Sequence, residues 1–303
     1  MRPQEDTRVP GPARGSGSRA SGVRTAGIVL AGGRSTRMGR SKAGLEWHGS
    51  TLLRRVAGIV SRAVDGGVVV VRAPAQELPS LPPGVRVVAD AREGRGPVQG
   101  LAAGLAAVAG HAELAYVSST DVPLLHPAFV AAVVAAAEPE DVDVALPVAQ
   151  GFRQPLAAAY RTSLLGGIEE LIGSERMSPA FLFERCRVRE LDERQLLRDP
   201  RLARADPELL SLLNVNNPAQ YVEARARPAP PVTVRRSGGH AVARDGDPIA
   251  LRAATLAAAA AAAGIALDRH VAAMVNGNQV SRDPELPLVS GDAVEFLTAD
   301  GGR

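Results

Sequence analysis

The stretch from 27 to 42, GIVLAGGRSTRMGRSK, constrains the fold of this 303-residue chain more than any other. Its apolar run Ile28-Val29-Leu30 reads as a buried strand. The run stops at Ala31-Gly32-Gly33, where almost no side chain separates the backbone from a ligand. Bare N–H groups in such a turn can cradle phosphate oxygens. Arg34, Arg37, Arg40 and Lys42 surround that anion site with positive charge. Lys42 is the only lysine among 35 Lys and Arg residues. A compact ammonium can sit between two phosphates, where the broad guanidinium fork fits differently. Two widespread phosphate loops are excluded, because neither G-x-x-x-x-G-K-[ST] nor G-x-G-x-x-G occurs at this stretch.

Strand-like and helix-like runs alternate from residue 25 to about 225. Strands are expected at 27–30, 68–72, 85–89, 114–118 and 142–147, and helices at 51–63, 98–109 and 127–137. The strand runs are continuously apolar, as strands become when helices cover both faces of a parallel sheet. The alternation implies a doubly wound, mostly parallel α/β domain with right-handed crossovers. Ligands of such sheets bind beyond the carboxyl ends of the strands. The glycine loop after Leu30, Asp90 after Val88 and Asp121 after Val117 all fall at such ends, so three signals converge on one crevice.

Each of those carboxylates has a chemical and a structural reading. Asp121, in Ser-Ser-Thr-Asp-Val-Pro, suits Mg²⁺, which takes one or two protein carboxylates plus phosphate oxygens. Its structural alternative is to cap a turn starting at Pro123. Asp90 precedes Glu93-Gly94-Arg95-Gly96-Pro97 and reads as either a ligand contact or a turn carboxylate. Gly94, Gly96 and Gly100 open the next helix and offer a second place where backbone can approach a ligand. Further on, Gln154 in Arg153-Gln154-Pro155-Leu156 and the pair Asn214 and Asn216 are candidates for holding a polar acceptor, whereas Asn217 before Pro218 reads as a helix cap.

Bulk properties narrow the function class. A length of 303 residues leaves room for two domains. Aromatic residues make up 3% of the chain, too few for base-stacking platforms on single-stranded nucleic acid. The net charge of +3 is spread over interleaved acids and arginines outside the first 24 residues, which suits small anions better than a duplex. No nucleic-acid partner is expected. A single cysteine, Cys186, excludes an intrachain disulfide and a thiolate zinc cluster, and the five histidines lack metal-ligand spacing. With no membrane-length apolar run and no signal-peptide core, the expectation is a soluble cytoplasmic protein without a membrane partner.

The quoted residues LAGGRSTRMGRSK, VVAD, GPVQGL, STDVPLL, RQPLAAAY and NVNNPAQY follow one another in the order seen in nucleotidyltransferases that resemble the molybdenum cofactor guanylyltransferase MobA. The resemblance covers roughly 25–225. It implies transfer of GMP from GTP to molybdopterin carrying molybdenum, with Mg²⁺ as cofactor and pyrophosphate as the second product. It also implies nucleotide contacts at Leu30, Ala31, Gly32, Gly33, Lys42, Asp90 and Gly100, with Asp121 on the metal and with Lys42 and Arg37 neutralising charge at the transferring phosphate. No protein nucleophile is expected. The family often carries an asparagine after its second strand, whereas this chain reads VVVVRAPAQ there. A CTP-dependent cytidylyltransferase and a non-catalytic nucleotide-binding scaffold therefore stay open.

Beyond a disordered lead at 1–24 and the transferase at 25–225, a Pro-rich linker at 226–231 leads to a second unit at 232–303. Strands are expected at 232–236, 240–244, 273–276, 279–281 and 293–297, with an alanine-rich helix at 251–263. The run VNG, the run LPLVSGDAVEFL and the terminal pair Gly301-Gly302 resemble the MoaD/ThiS sulfur carriers, which implies a small α+β, ubiquitin-like β-grasp domain. Partners implied by that resemblance are molybdopterin synthase or an E1-like adenylyltransferase. Arg303 follows the glycine pair, so the tail would need trimming before it could carry sulfur.

Overall fold

The computed structural model describes residues 23–32, 41–90, 96–237, 247–277 and 279–298. The lead at 1–22, Gly33, Arg34, Arg37, Arg40, Gly94, the strand expected at 240–244, and Gly301 and Gly302 lie outside the described residues.

The first half runs β1 (Thr25–Leu30), a small hairpin of β2 (Glu46–Trp47) and β3 (Ser50–Thr51), then α1 (Leu52–Ala63). It continues through β4 (Val68–Arg72), β5 (Arg86–Ala89), α2 (Pro97–Val108), β6 (Leu114–Ser119), α3 (Pro127–Ala137), β7 (Val144–Ala149), β8 (Phe152–Arg153) and β9 (Ala157–Arg161). Helices α4 (Leu165–Gly173) and α5 (Pro179–Phe183), strand β10 (Val188–Leu191), and helices α6 (Glu193–Leu196), α7 (Pro200–Ala205) and α8 (Pro218–Arg225) complete it. The large sheet has the order β10-β7-β9-β6-β1-β4-β5. Strands β6, β1, β4 and β5 run parallel, as do β7 and β10, and β9 alone lies antiparallel between β6 and β7.

All six residues of β1 are buried because helices press on it from both faces. A Cβ on Gly27 would lie 2.3 Å from Val60 of α1, and one on Gly104 of α2 would lie 2.5 Å from Ile28. Val29 belongs to the apolar cluster on the α1–α3 side, and Ile28 and Leu30 to the cluster on the α2–α4 side. This accounts for the unbroken apolar run. The expected strand at 85–89 is present as β5, but it is the sheet edge and mostly exposed.

A second sheet follows, formed by β11 (Pro231–Ser237), β12 (Ile249–Arg252), β13 (Val271–Val275), β14 (Gln279–Ser281) and β15 (Ala293–Thr298), with α9 (Leu256–Ala262) between β12 and β13. Its order is β12-β11-β15-β13-β14, with the central pair β11 and β15 parallel and the other pairs antiparallel. Burial alternates along β11 and β13, so one face of the sheet packs on α9. Asn276 and Gly277, at φ 53° and 76°, form the tight turn expected between β13 and β14.

The alanine-rich helix is shorter than its composition implied. Residues 251 and 252 belong to β12, where Leu251 pairs with Val232, and the helix starts only after Thr255, whose hydroxyl accepts from Ala258 N at 3.2 Å. Ladder pairing with β11 and a good N-cap override helix propensity at the two leading positions.

The second sheet's unit is seated on α1. Arg62 forms a two-pronged ion pair with Asp292 (2.6 and 2.9 Å), and Arg54 reaches Asp283 at 2.7 Å. Asp292 also accepts from Asn276 Nδ2 and Val289 N, so its buried carboxylate is fully engaged. A Cβ on Gly58 would stand 2.7 Å from the ring of Pro287, which shows how closely the helix approaches. His126, the N-cap of α3, accepts from Ala128 N through Nδ1, so its proton sits on Nε2, 3.2 Å from Ser290 O.

Burial pushes the His126 pKa below its ordinary 6.5, against the opposing pull of the Ser290 carbonyl, Asp292 and Asp206 and with a smaller push from Arg62. Below about pH 6.5 the unfolded chain therefore binds more protons at this site than the folded one. The stability linked to His126 is complete above that pH and is lost as pH falls through it toward the lowered folded value. We expect the melting temperature to fall between pH 7.5 and 5.5, and to fall less in His126→Asn. An equal fall in both proteins would remove His126 as the cause.

Candidate active site

Parallel pairing brings the carboxyl ends of β1, β4, β5 and β6 to one edge of the sheet. There the chain after β1 is tied down by its neighbours. Ala31 N and Gly32 N donate to Val71 O at 2.8 and 3.3 Å, and Thr120 Oγ1 donates to Leu30 O at 2.9 Å. Gln76 clamps the same turn: its Nε2 donates to Ala31 O at 2.9 Å while its Oε1 accepts from Ala73 N at 3.0 Å. A Cβ on Gly32 would come within 3.3 Å of Ala73 N, a tight contact that marks how closely the two backbones approach there.

Asp90 follows β5, with its N–H donating to Arg72 O at 2.7 Å. A Cβ on Gly100, in the first turn of α2, would lie 3.4 Å from Leu30 Cδ2 and 3.9 Å from Asp90 Oδ2. The four residues Leu30, Gly32, Asp90 and Gly100 thus share one corner of the sheet edge. Gly96 caps α2 at φ 85° with Pro97 in the first helical position, the arrangement expected from the Gly-Pro turn.

Asp121 follows β6 and is the hub of a second group. Its Oδ2 accepts from Lys42 Nζ at 2.7 Å and its Oδ1 from Ser119 Oγ at 2.6 Å. The Lys42 ammonium also donates to Asn216 Oδ1 at 3.3 Å. Both partners of the ion pair are about four-fifths buried, at 19% and 17% side-chain exposure, so screening by water is reduced. The Asp121 carboxylate thus bonds to side chains, and the next helix, α3, is capped by His126. Asn217 does cap α8, accepting from Gln220 N at 2.9 Å.

Asp121 opens into a cleft of about 270 Å³ that is also lined by Ser119, Gln154, Leu212, Asn214 and Asn216. The three residues singled out for an acceptor therefore face one space together with the aspartate. Gln154 is set by its N–H to Pro147 O at 2.8 Å, and its Nε2 donates to Phe152 O at 3.2 Å. The Asn214 carboxamide donates to Leu212 O at 3.3 Å. Val215 N between the two asparagines donates to Asp121 O at 2.8 Å, which fixes their segment to the aspartate turn.

Lys42 opens a short 3₁₀ turn, Lys42–Gly44, that leads directly into a small core of Leu45, Trp47, Leu52, Val215 and Ala224. The same core underlies the asparagine segment. Tyr221 donates to Glu46 O and Arg225 pairs with the Glu46 carboxylate, which fastens α8 to the hairpin after Lys42. Lys42 and Asn216, 174 residues apart in the chain, are held in register by that shared support.

Gln76, Ser119 and Thr120 were given no role from sequence. Ser119 and Thr120 sit inside the quoted Ser-Ser-Thr-Asp run, whose two hydroxyls next to a strand-end carboxylate were the available signal. Gln76 lies in the stretch where no asparagine was found. Burial and the nearby Asp143 push the Cys186 thiol up to about 11, so little of it is thiolate at neutral pH. Among the described residues, no three His, Cys, Asp or Glu side chains gather as a metal cage. A single carboxylate in a polar cleft is a donor set compatible with Mg²⁺, which takes one or two protein carboxylates plus phosphate oxygens. Among the described residues, no helix is long and apolar enough to cross a membrane.

Comparison with known proteins places this geometry. The MobA-like NTP transferase domain matches residues 27–189, the span from β1 into β10. The chain belongs to the MobA-like NTP transferase family. A probable molybdenum cofactor guanylyltransferase of Mycobacterium avium is 35% identical over 213 residues, covering 68% of this chain and 100% of that protein. A molybdenum cofactor guanylyltransferase of Desulfosudis oleivorans is 33% identical, covering 66% and 94%. The crystal structure of molybdopterin-guanine dinucleotide biosynthesis protein A from Archaeoglobus fulgidus superposes with a TM-score of 0.53 at 22% identity, covering 66% of this chain and 96% of that one, which speaks for a common fold. The MobA-like chain is an enzyme, a nucleotidyltransferase. The family resemblance drawn from LAGGRSTRMGRSK onward agrees with the matched span.

Proposed function

We propose that this nucleotidyltransferase acts in molybdenum cofactor biosynthesis, moving GMP from GTP to molybdopterin that carries molybdenum and releasing pyrophosphate. The observation that carries the reading is the Lys42–Asp121–Asn216 cluster at the mouth of the cleft that Gln154 and Asn214 also line. The names of the relatives that are 33–35% identical support the substrates.

In this reading the nucleotide lies along the strand ends from Leu30 to Asp90 and its phosphates point toward Lys42. An oxygen of the acceptor's terminal phosphate forms a bond to the α-phosphorus as the bond to the β-phosphate oxygen breaks. Lys42 holds negative charge at the transferring phosphate, with Arg37 as a further cation from the same loop. Gln154, Asn214 and Asn216 orient the acceptor in the cleft, which makes the attack effectively intramolecular. Asp121 would hold Mg²⁺, which supplies charge neutralisation at the phosphates when bound. Ser119 donates to the Asp121 oxygen that does not face Lys42 and fixes the carboxylate's orientation.

The second sheet supports a MoaD/ThiS-like module at 232–303, because its order β12-β11-β15-β13-β14, with a parallel central pair and one helix after the first two strands, is that expected of a β-grasp domain. Molybdopterin synthase or an E1-like adenylyltransferase would be its partner, in the cytoplasm. Sulfur carriage requires Gly302 to become the terminus, and an intact mass of the native protein that retains Arg303 would end that part of the reading.

The experiment that tests the main reading compares GTP, CTP, ATP and UTP in Mg²⁺-dependent binding and in formation of a dinucleotide from molybdopterin. Selective use of GTP is expected. Preference for CTP would make the protein a cytidylyltransferase, and nucleotide binding without dinucleotide formation would leave a non-catalytic scaffold.

A further inference from the structure

Arg55, in the second turn of α1, is 3% exposed. No carboxylate bonds to its guanidinium among the described residues. Three carbonyls from three separate segments do: Nε donates to Pro123 O at 2.7 Å, Nη1 to Ala254 O at 3.1 Å and Nη2 to Leu288 O at 3.2 Å. Burial, with the nearby Arg62, pulls its pKa down to about 10 against the pull of Asp292, so it stays charged at neutral pH. A buried cation satisfied only by backbone dipoles is costly to replace, because every lost contact leaves a buried polar group unpaired.

Its first acceptor belongs to the turn that carries Asp121. The three successive carbonyls of that turn are each pinned once: Asp121 O by Val215 N at 2.8 Å, Val122 O by Leu125 N at 3.1 Å and Pro123 O by Arg55. The other two acceptors are backbone carbonyls of the unit built on the second sheet. We infer that Arg55 is a positioning residue that braces the Asp121 turn against the second unit, so that the seated second unit is a working part of the transferase site. This inference rests on the proposed role of Asp121. It adds that the second unit contributes to transfer through the two carbonyls it offers Arg55, whether or not it carries sulfur.

Lysine at this position has a single ammonium on a flexible stem and cannot span three acceptors set for a planar fork. The test uses the full chain with Arg55→Lys, Arg55→Gln and, as a control, Arg62→Gln, which breaks a buried ion pair of the same interface but touches nothing in the Asp121 turn. Both Arg55 variants are expected to lower kcat about tenfold with KM for GTP within about twofold, a loss of the size seen when reacting groups are slightly misplaced. Arg62→Gln should lower the melting temperature but keep kcat within about twofold. Hydrogen exchange at the Leu125 amide, which reports the turn without any assay of transfer, should speed up in the Arg55 variants and not in the control. Loss of kcat in step with melting temperature across all three variants would overturn the brace, as would unchanged exchange at Leu125. A wild-type chain that transfers no nucleotide would sink the functional reading alone, because the exchange measurement still decides the brace.

Discussion

Asp121→Asn is expected to lower nucleotidyl transfer by about a thousandfold while the protein keeps its fold. The substitution is nearly isosteric, and its neighbours stay in place: Ser119 can still donate to the remaining carbonyl oxygen, and Val215 N still holds the backbone carbonyl of residue 121. What disappears is the negative charge 2.7 Å from the Lys42 ammonium, in a place where both side chains are mostly out of water. In the proposed reading that charge is also the carboxylate that would hold Mg²⁺ at the cleft. The measurement is the rate of dinucleotide formation at saturating GTP and Mg²⁺, with a melting curve alongside. Transfer within tenfold of wild type, in a protein with an unchanged melting temperature, would remove Asp121 from the chemistry.

Lys42→Ala is expected to cost about a hundredfold in kcat/KM and to weaken GTP binding measurably. The ammonium lies 2.7 Å from Asp121 and 3.3 Å from Asn216, two residues that line the cleft, and in the proposed reading it meets the nucleotide's phosphates. Lys42→Arg should rescue little, since a planar five-donor fork cannot occupy the volume of a point charge between two carbonyl-type oxygens. Because Lys42 and Asp121 act as one unit, the double variant should be barely worse than Asp121→Asn alone. Full rescue by arginine, or strict additivity of the two losses, would refute that coupling. Calorimetric GTP titration and steady-state kinetics on the wild type and the four variants read both.

The parallel core was legible because its physics is local. Helices that press on β1 from both sides, so close that Gly27 and Gly104 have no room for a Cβ, write themselves into the chain as an unbroken apolar run. Strand-end carboxylates such as Asp121 were legible for a related reason: a charged residue directly after a buried strand has little to do there except chemistry or capping. The antiparallel strand β9 was harder, since Ala157-Ala158-Ala159 has no β-branched residue and is fixed by its neighbours β6 and β7. The alanine-rich helix was placed too early because pairing of Leu251 with Val232 is a long-range fact that composition does not carry. Gln76 was passed over because its importance lies in two backbone groups 45 and 3 residues away. Arg55 was invisible for the same reason. Arginine in the middle of a helix reads as a solvated face, and only the three carbonyls around it say otherwise.

Those arginines change what α1 is. Ten of its twelve residues are buried, including the polar side that a lone transferase would offer to solvent. Cutting the chain at the Pro-rich segment near 230 would strip Arg54, Arg55 and Arg62 of the acceptors supplied by 254–292, leaving Arg55 with Pro123 O alone and Arg54 with Ser80 Oγ. Heating the intact chain should therefore produce one cooperative transition instead of two, and neither sheet outlives the other.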